Sequence, residues 1–187
     1  ASPALLYEWF RWSGQARKIR AGSYEIGPGT TPVALLNKMV RGDETLAVVR
    51  LIEGWTFRQF RAELAKADAL KPTTAGMSEE QVMAAVGAAS GVSAEGRFQP
   101  DTYAYSKGSS DIAVLRRAYR AMQKRLDAAW QERAPDTPLR SPDDALVLAS
   151  IVEKETGVSA DRGKVAGVFV NRLRIGMPLQ TDPTVIY

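Results

Sequence analysis

Apolar residues recur along this chain at helical spacing in three long stretches of its second half. Ile112, Leu115, Tyr119, Met122, Leu126 and Trp130 step by three and four, which predicts a long helix that opens near Ser110 and Asp111 and ends before Pro135. Its outer side carries Arg116, Arg117, Arg120, Lys124 and Arg125, read as a solvated face. A second helix follows the loop through Pro138 and Pro142, capped by Ser141 or Asp143, with Ala145, Leu148, Ala149 and Val152 on one stripe. A third, about Lys164 to Arg174, turns Val165, Val168, Phe169 and Leu173 inward. Residues 176–187 then run irregular to extended, and a Gly and two prolines around Gln180 and Asp182 hold polar side chains on a fixed backbone, as a binding loop requires.

The first half alternates differently. Gly29 to Met39 aligns with Gly54 to Leu64: each has Gly, then Thr at a helix N-cap, then apolar residues four apart (Leu35 and Met39; Phe60 and Leu64). Each follows a strand-like run, Gly22 to Ile26 in one case and Ala47 to Ile52 in the other. A strand, a Gly turn and a helix, twice, predict a small two-stranded α+β module. Lys71 to Gly76 reads as a loop, and Ser78-Glu79-Glu80 as a helix start leading into Val82 to Ala89. Glu95 to Tyr105, EGRFQPDTYAY, reads as a turn followed by a strand.

Composition narrows the chemistry. The 187 residues contain no Cys and no His, which removes the usual zinc, thiol and Ser-His-Asp arrangements and leaves carboxylates, hydroxyls, amides, Lys and Arg. The net charge of +4 is spread thinly along the chain, so a nucleic-acid surface is a poor reading. No apolar run reaches the roughly 18 residues that span a bilayer, and no signal peptide is visible. The chain begins with Ala1 rather than Met and reads as a piece of something longer.

Within this inventory Glu155 stands out. It occupies the next position on the apolar stripe of the helix that carries it, whereas Glu153 lies about 200° away around the axis. A carboxyl on an apolar side is expected to be desolvated, which favours its protonated form and suits it to act as a general acid. The plain alternative is a solvated helix end, with Gly157 after Thr156 as the stop signal.

Three stretches, EGRFQPDTY at 95–103, LASIVEKET at 148–156 and VFVNRLRIGMPLQTDPTVIY at 168–187, together resemble the YceG-like family, the endolytic murein transglycosylases known as MltG. The early βα repeat resembles the LysM-like subdomain of that family. The resemblance implies an α+β fold: a LysM-like subdomain with its lead-in over residues 1–67, then a mostly helical catalytic domain with short strands over 68–187, truncated at its C-terminal end. It implies an enzyme of the bacterial inner membrane, held by an N-terminal anchor absent from this chain, with its catalytic part in the periplasm. Such an enzyme cuts the MurNAc–GlcNAc β-1,4 bond of nascent peptidoglycan strands, leaves 1,6-anhydro-MurNAc ends and terminates elongation. It needs no cofactor and no metal, and works beside peptidoglycan synthases. On this resemblance Glu155 is the catalytic acid and Glu153 its supporting neighbour. Asn171, Arg172, Gln180, Thr181 and Asp182 line the groove, with Phe98, Asp101 and Tyr103 as further substrate-binding candidates.

One rival reading is a non-catalytic, LysM-like peptidoglycan-binding module in which the Glu155 region only packs. A second is a helical nucleic-acid-binding domain, which the dispersed charge disfavours.

Overall fold

The computed structural model describes residues 3–181. In chain order the elements are α1 (Pro3–Trp12), α2 (Pro32–Arg41), β1 (Leu46–Leu51), α3 (Phe57–Lys66), α4 (Glu79–Val86), β2 (Asp101–Ser106), α5 (Asp111–Gln131), α6 (Pro142–Glu155) and α7 (Arg162–Arg174). The fold is helix-rich α+β, with one two-stranded antiparallel sheet among the described residues.

The helix starts follow local chemistry. Thr31 accepts from the Ala34 N–H with Pro32 in the first turn, and Ser141 does the same for Asp144 with Pro142 behind it. Thr56 and Ser78 each form a reciprocal capping box, with Gln59 and Gln81 respectively. The two predicted Gly-Thr-helix units therefore both exist as α2 and α3.

Their strands do not match the prediction. Ala47 to Leu51 is extended, but Gly22 to Ile26 forms no strand, and β1 pairs instead with β2. The reason lies in what each run can bury. Ile26 is 65% exposed, so the first run offers only Tyr24 to a core. In β1–β2, Val49 lies opposite Tyr103 and Ala47 opposite Tyr105, so one face of the ladder packs apolar side chains in register. Residues 20–25 are held as irregular chain by Arg20 N–H on the Met39 carbonyl, Thr45 N–H on the Ser23 carbonyl and Lys38 Nζ on the Glu25 carbonyl.

The inner face of β1–β2 belongs to the main core, where Phe57, Phe60 and Leu64 of α3, Val82, Met83 and Val86 of α4, and Val114, Leu115 and Ala118 of α5 meet. Phe98 stacks on Phe57 at 5.0 Å between ring centres. At its edge, the buried Asp111 gathers the loop 71–76: its carboxylate accepts from the Thr73 and Thr74 hydroxyls and the Thr74 N–H, and from the Ile112 N–H. Burial alone would raise the pKa of Asp111, but these donors together hold it below the usual carboxylate range.

Two smaller cores stand apart. Phe10 of α1 packs with Leu35 and Leu36 of α2. Leu148, Ile151 and Val152 of α6 pack with Phe169 of α7. In α7 the buried side steps by four through Val165, Phe169 and Leu173; Val168, expected inward, is rotated off that row and 52% exposed. The α6 helix is tied back to the main body at its start, where Arg97 Nη1 meets Asp143 Oδ1 at 2.7 Å and Leu146 lies against the backbone of Gly96, whose φ of +71° suits a residue without Cβ.

Candidate active site

The last turn of α6 sorts its side chains by direction. Val152 is buried against α7, and Glu153, Lys154 and Glu155 leave the helix on separate sides. Glu153 Oε2 pairs with Arg162 Nη2 at 2.9 Å, at the start of α7. Lys154 Nζ donates to the Gly54 carbonyl at 3.1 Å, which joins this turn to the Gly54–Thr56 corner ahead of α3. Glu155 Oε2 accepts from the Thr181 hydroxyl at 2.5 Å.

Glu155 does continue the buried row of α6, three residues beyond Val152 and four beyond Ile151. It is nevertheless exposed, contrary to the expectation of a desolvated carboxyl. The seam between α6 and α7 ends one turn earlier, so the carboxylate emerges from the end of an apolar contact rather than sitting inside it. Thr156, extended at φ −142°, closes the helix directly after it. Among the described residues, Oε1 of Glu155 meets no hydrogen-bond donor.

Thr181 arrives there by a defined route. The α7 helix stops in a Schellman motif: Gly176 N–H bonds the Leu173 carbonyl at 3.3 Å and Met177 N–H the Arg172 carbonyl at 2.8 Å, with Gly176 at φ +69°. The chain then turns back. Leu179 packs on the α6–α7 core, and Arg172 Nη1 donates to the carbonyls of Leu179 at 3.1 Å and Gln180 at 3.3 Å.

The remaining groove candidates divide. Gln180 is exposed beside Thr181, so its side chain is available at the site. Arg172 reaches the loop, but through main-chain carbonyls rather than as an open cation. Asn171 is exposed about 200° around α7 from Phe169, accepting from Arg174 Nη1 at 3.4 Å. Asp182 lies outside the described residues. Asp101 is exposed at the start of β2, its carboxylate capped by the Thr102 N–H. Phe98 and Tyr103 are 3% and 8% exposed in the main core, where close packing leaves a sugar no access to them. The Tyr103 hydroxyl donates to the Gln99 carbonyl; burial, reinforced by Asp101 and opposed by Arg117, pushes its pKa up to about 12. Aromatics alternating with polar residues are as good a sign of a half-buried strand as of a sugar site, and here the strand uses them.

Sequence spacing did not point to Arg162, Lys154 or Glu95. Glu95 accepts from the Phe57 N–H at 3.0 Å, so it holds the start of α3 at the corner that Lys154 touches. These are long-range contacts between ordinary charged residues, and no local pattern marks them.

The model of the YceG-like family matches residues 1–187. The chain belongs to the YceG-like family. Among its relatives, the endolytic murein transglycosylase of Bacillus subtilis (strain 168) is 60% identical over 42 residues, covering 22% of this chain and 12% of that protein. The endolytic murein transglycosylase of Streptococcus pneumoniae serotype 2 (strain D39 / NCTC 7466) is 32% identical over 93 residues, covering 50% of this chain and 16% of that protein. The alignments thus span well under two thirds of either relative. The crystal structure of a yceG-like protein from Listeria monocytogenes superposes with a TM-score of 0.54 at 24% identity, covering 100% of this YceG-like chain and 66% of that one, which shows a shared fold.

Proposed function

We propose that this YceG-like chain is the Glu155-bearing part of an endolytic murein transglycosylase. It would cleave the MurNAc–GlcNAc β-1,4 bond within nascent peptidoglycan strands, leave 1,6-anhydro-MurNAc ends and so terminate elongation. The observation that carries the reading is the state of Glu155: an exposed carboxyl at the open end of a helix, bonded on Oε2 by Thr181 and meeting no donor on Oε1 among the described residues.

That arrangement suits a reaction with one acid/base. A hydrolase needs a second carboxylate to deliver water or attack the sugar. Glu153, the nearest other carboxylate in sequence, is engaged by Arg162 and leaves the helix on a different side. In a lytic reaction the substrate supplies its own nucleophile. Glu155 protonates the glycosidic oxygen as the C1–O bond breaks, then accepts the proton of the C6 hydroxyl as that oxygen bonds to C1. The tethered hydroxyl gives the benefit of proximity without a second bound reactant. Gln180, exposed next to Thr181, would contact the sugar flanking the bond.

In this reading residues 1–67 form a LysM-like unit and 68–187 the catalytic region, joined by the β1–β2 ladder and by the Lys154–Gly54 contact. The catalytic part faces the periplasm, where peptidoglycan synthases would be its neighbours, and membrane attachment would come from a segment other than those described. No helix among the described residues is long and apolar enough to cross a membrane.

The test is mass spectrometry of the muropeptides released from glycan strands by the full-length protein and by Glu155→Gln. New 1,6-anhydro ends from the wild type, reduced by about 10²–10⁴-fold in the variant, are expected for loss of a general acid/base. Reducing ends would mean hydrolysis. Binding without cleavage by a folded wild-type protein would favour the peptidoglycan-binding module.

A further inference from the structure

Glu155 is met by a hydroxyl that comes from a loop, and a loop is a poor support for an atom that must be placed to a fraction of an ångström. The contacts of Arg172 answer this difficulty. Its Nη1 donates to two consecutive carbonyls, those of Leu179 and Gln180, and its guanidinium carbon lies 5.9 Å from the centre of the buried Phe169 ring. The Leu179 side chain is pinned from the other direction by the α6–α7 core. The backbone is thus fixed on both sides one residue before Thr181.

We infer that Arg172 is a positioning residue for the proposed reaction: it holds the 179–180 backbone so that the Thr181 hydroxyl stays on Oε2 of Glu155. This rests on the reading of Glu155 as the acid. The consequence is stereochemical. While Oε2 accepts from Thr181 it serves as the carbonyl-type oxygen of the protonated carboxyl, so the acidic proton resides on Oε1, the oxygen that no donor among the described residues occupies. The same oxygen, once deprotonated, receives the proton of the C6 hydroxyl. Without the clamp the carboxyl is free to rotate and present either oxygen in either state. Arg is suited to this task because one planar, permanently charged group donates to neutral carbonyls in fixed directions and lies on an aromatic ring at the same time. A direct role in holding the glycan would leave the guanidinium turned outward; here its bonds run to the main chain.

The experiment measures strand cleavage by full-length Arg172→Ala, Arg172→Lys, Thr181→Val, Thr181→Ser and the Arg172→Ala/Thr181→Val double variant. Strand affinity is measured separately with Arg172→Ala placed in the Glu155→Gln background. Expected is a fall in kcat of about 10–100-fold for Arg172→Ala, the scale of an ångström-sized misplacement, with strand affinity changed less than about twofold. Thr181→Val should match it, Thr181→Ser should recover part of the rate that Thr181→Val loses, and Arg172→Lys should recover part of the rate that Arg172→Ala loses. The double variant should be no slower than the worse single one, because both changes remove the same hydroxyl contact. Losses that multiply in the double variant, or a weakened strand affinity with unchanged kcat, would overturn the assignment. If Arg172→Ala does not fold, the Arg172→Lys and Thr181→Val pair is read the same way. Full activity of Glu155→Gln would instead sink the underlying reading; an inactive Glu155→Gln with multiplying losses sinks only the role of Arg172.

Discussion

The main core and the α6–α7 hairpin are built to different standards. Around β1, α3, α4, β2 and α5, sixteen buried residues drawn from five elements and the loops between them pack together, several of them, such as Val82, Val114 and Leu115, at 0% exposure. The hairpin that carries Glu155 rests on four, Leu148, Ile151, Val152 and Phe169. Its ties to the rest include Arg97–Asp143 and the Leu146 side chain beside Gly96 at the start of α6, Lys154–Gly54 at its end, and Arg174–Asp136 from α7. Stability in a folded chain tracks buried apolar contact, so the proposed site sits on a hairpin with a much smaller core than the main body. That would suit the proposed groove, which has to admit a polymer, and it separates substitutions that unfold the chain from those that loosen the proposed site.

The sharpest way to break this comparison is a pair of core truncations. Leu115→Ala removes a side chain at 0% exposure in the main core and is expected to cost about 2–5 kcal/mol of global stability. Ile151→Ala, at 6% exposure in the hairpin, is expected to accelerate hydrogen exchange in α6 and α7 while β1 and β2 keep their protection. Urea denaturation followed by exchange mass spectrometry reads both. If Ile151→Ala weakens β1 and β2 equally, the two regions form one cooperative unit and the contrast is lost.

A smaller effect concerns how the main core is closed at its polar edge. Asp111 has its carboxyl held below the 3.8 of an ordinary Asp, because the Thr73 and Thr74 donors outweigh the cost of burial. The unfolded chain therefore takes up this proton first as the solution is acidified. The stabilisation is fully present above about pH 4, the unfolded value, and is lost as pH falls through the lower folded value. Asp111→Asn replaces one of the two acceptor oxygens with a donor NH2 in a site lined by donors, and is expected to cost about 1–3 kcal/mol at neutral pH. It should also flatten the fall of Tm between pH 5 and 2, which a scan of both proteins measures. A variant whose acid limb stays parallel to wild type would show that other carboxylates control acid unfolding.

The legibility of this chain followed the range of the interactions involved. Helix starts were readable because a cap is chemistry within four residues, as at Thr56, Ser78 and Ser141. The strand at Gly22 to Ile26 misled because β-pairing depends on a partner far away in sequence, and β1 found better apolar matches in Tyr103 and Tyr105. Glu155 could be placed on its row by periodicity, but periodicity cannot tell where the opposing helix stops, which is why its exposure was misread. Tyr103 and Phe98 failed as groove candidates for a related reason: aromatic residues carry the same pattern whether they face a ligand or a core. The bonds of Arg172 to the Leu179 and Gln180 carbonyls lay beyond any pattern, since a main-chain acceptor has no residue type to reveal it.

The smallest expected effect tests whether the corner touched by Lys154 belongs to the rigid region or to the hairpin. The Thr56 hydroxyl caps α3 through the Gln59 N–H, two residues from the carbonyl that accepts from Lys154. Thr56→Ala is expected to lower global stability by about 1 kcal/mol, the usual worth of such a cap. If the corner is fixed by the main core, through Phe57 and the Glu95 bond to its N–H, the start of α3 stays in place and exchange in α6 is unchanged. If the corner depends on the cap, the Lys154 contact loosens with it and the last turn of α6 exchanges faster. Comparing exchange at Val152 to Glu155 between wild type and Thr56→Ala separates the two. The first result makes the Gly54 corner a fixed wall beside a mobile hairpin; the second makes corner and hairpin move together.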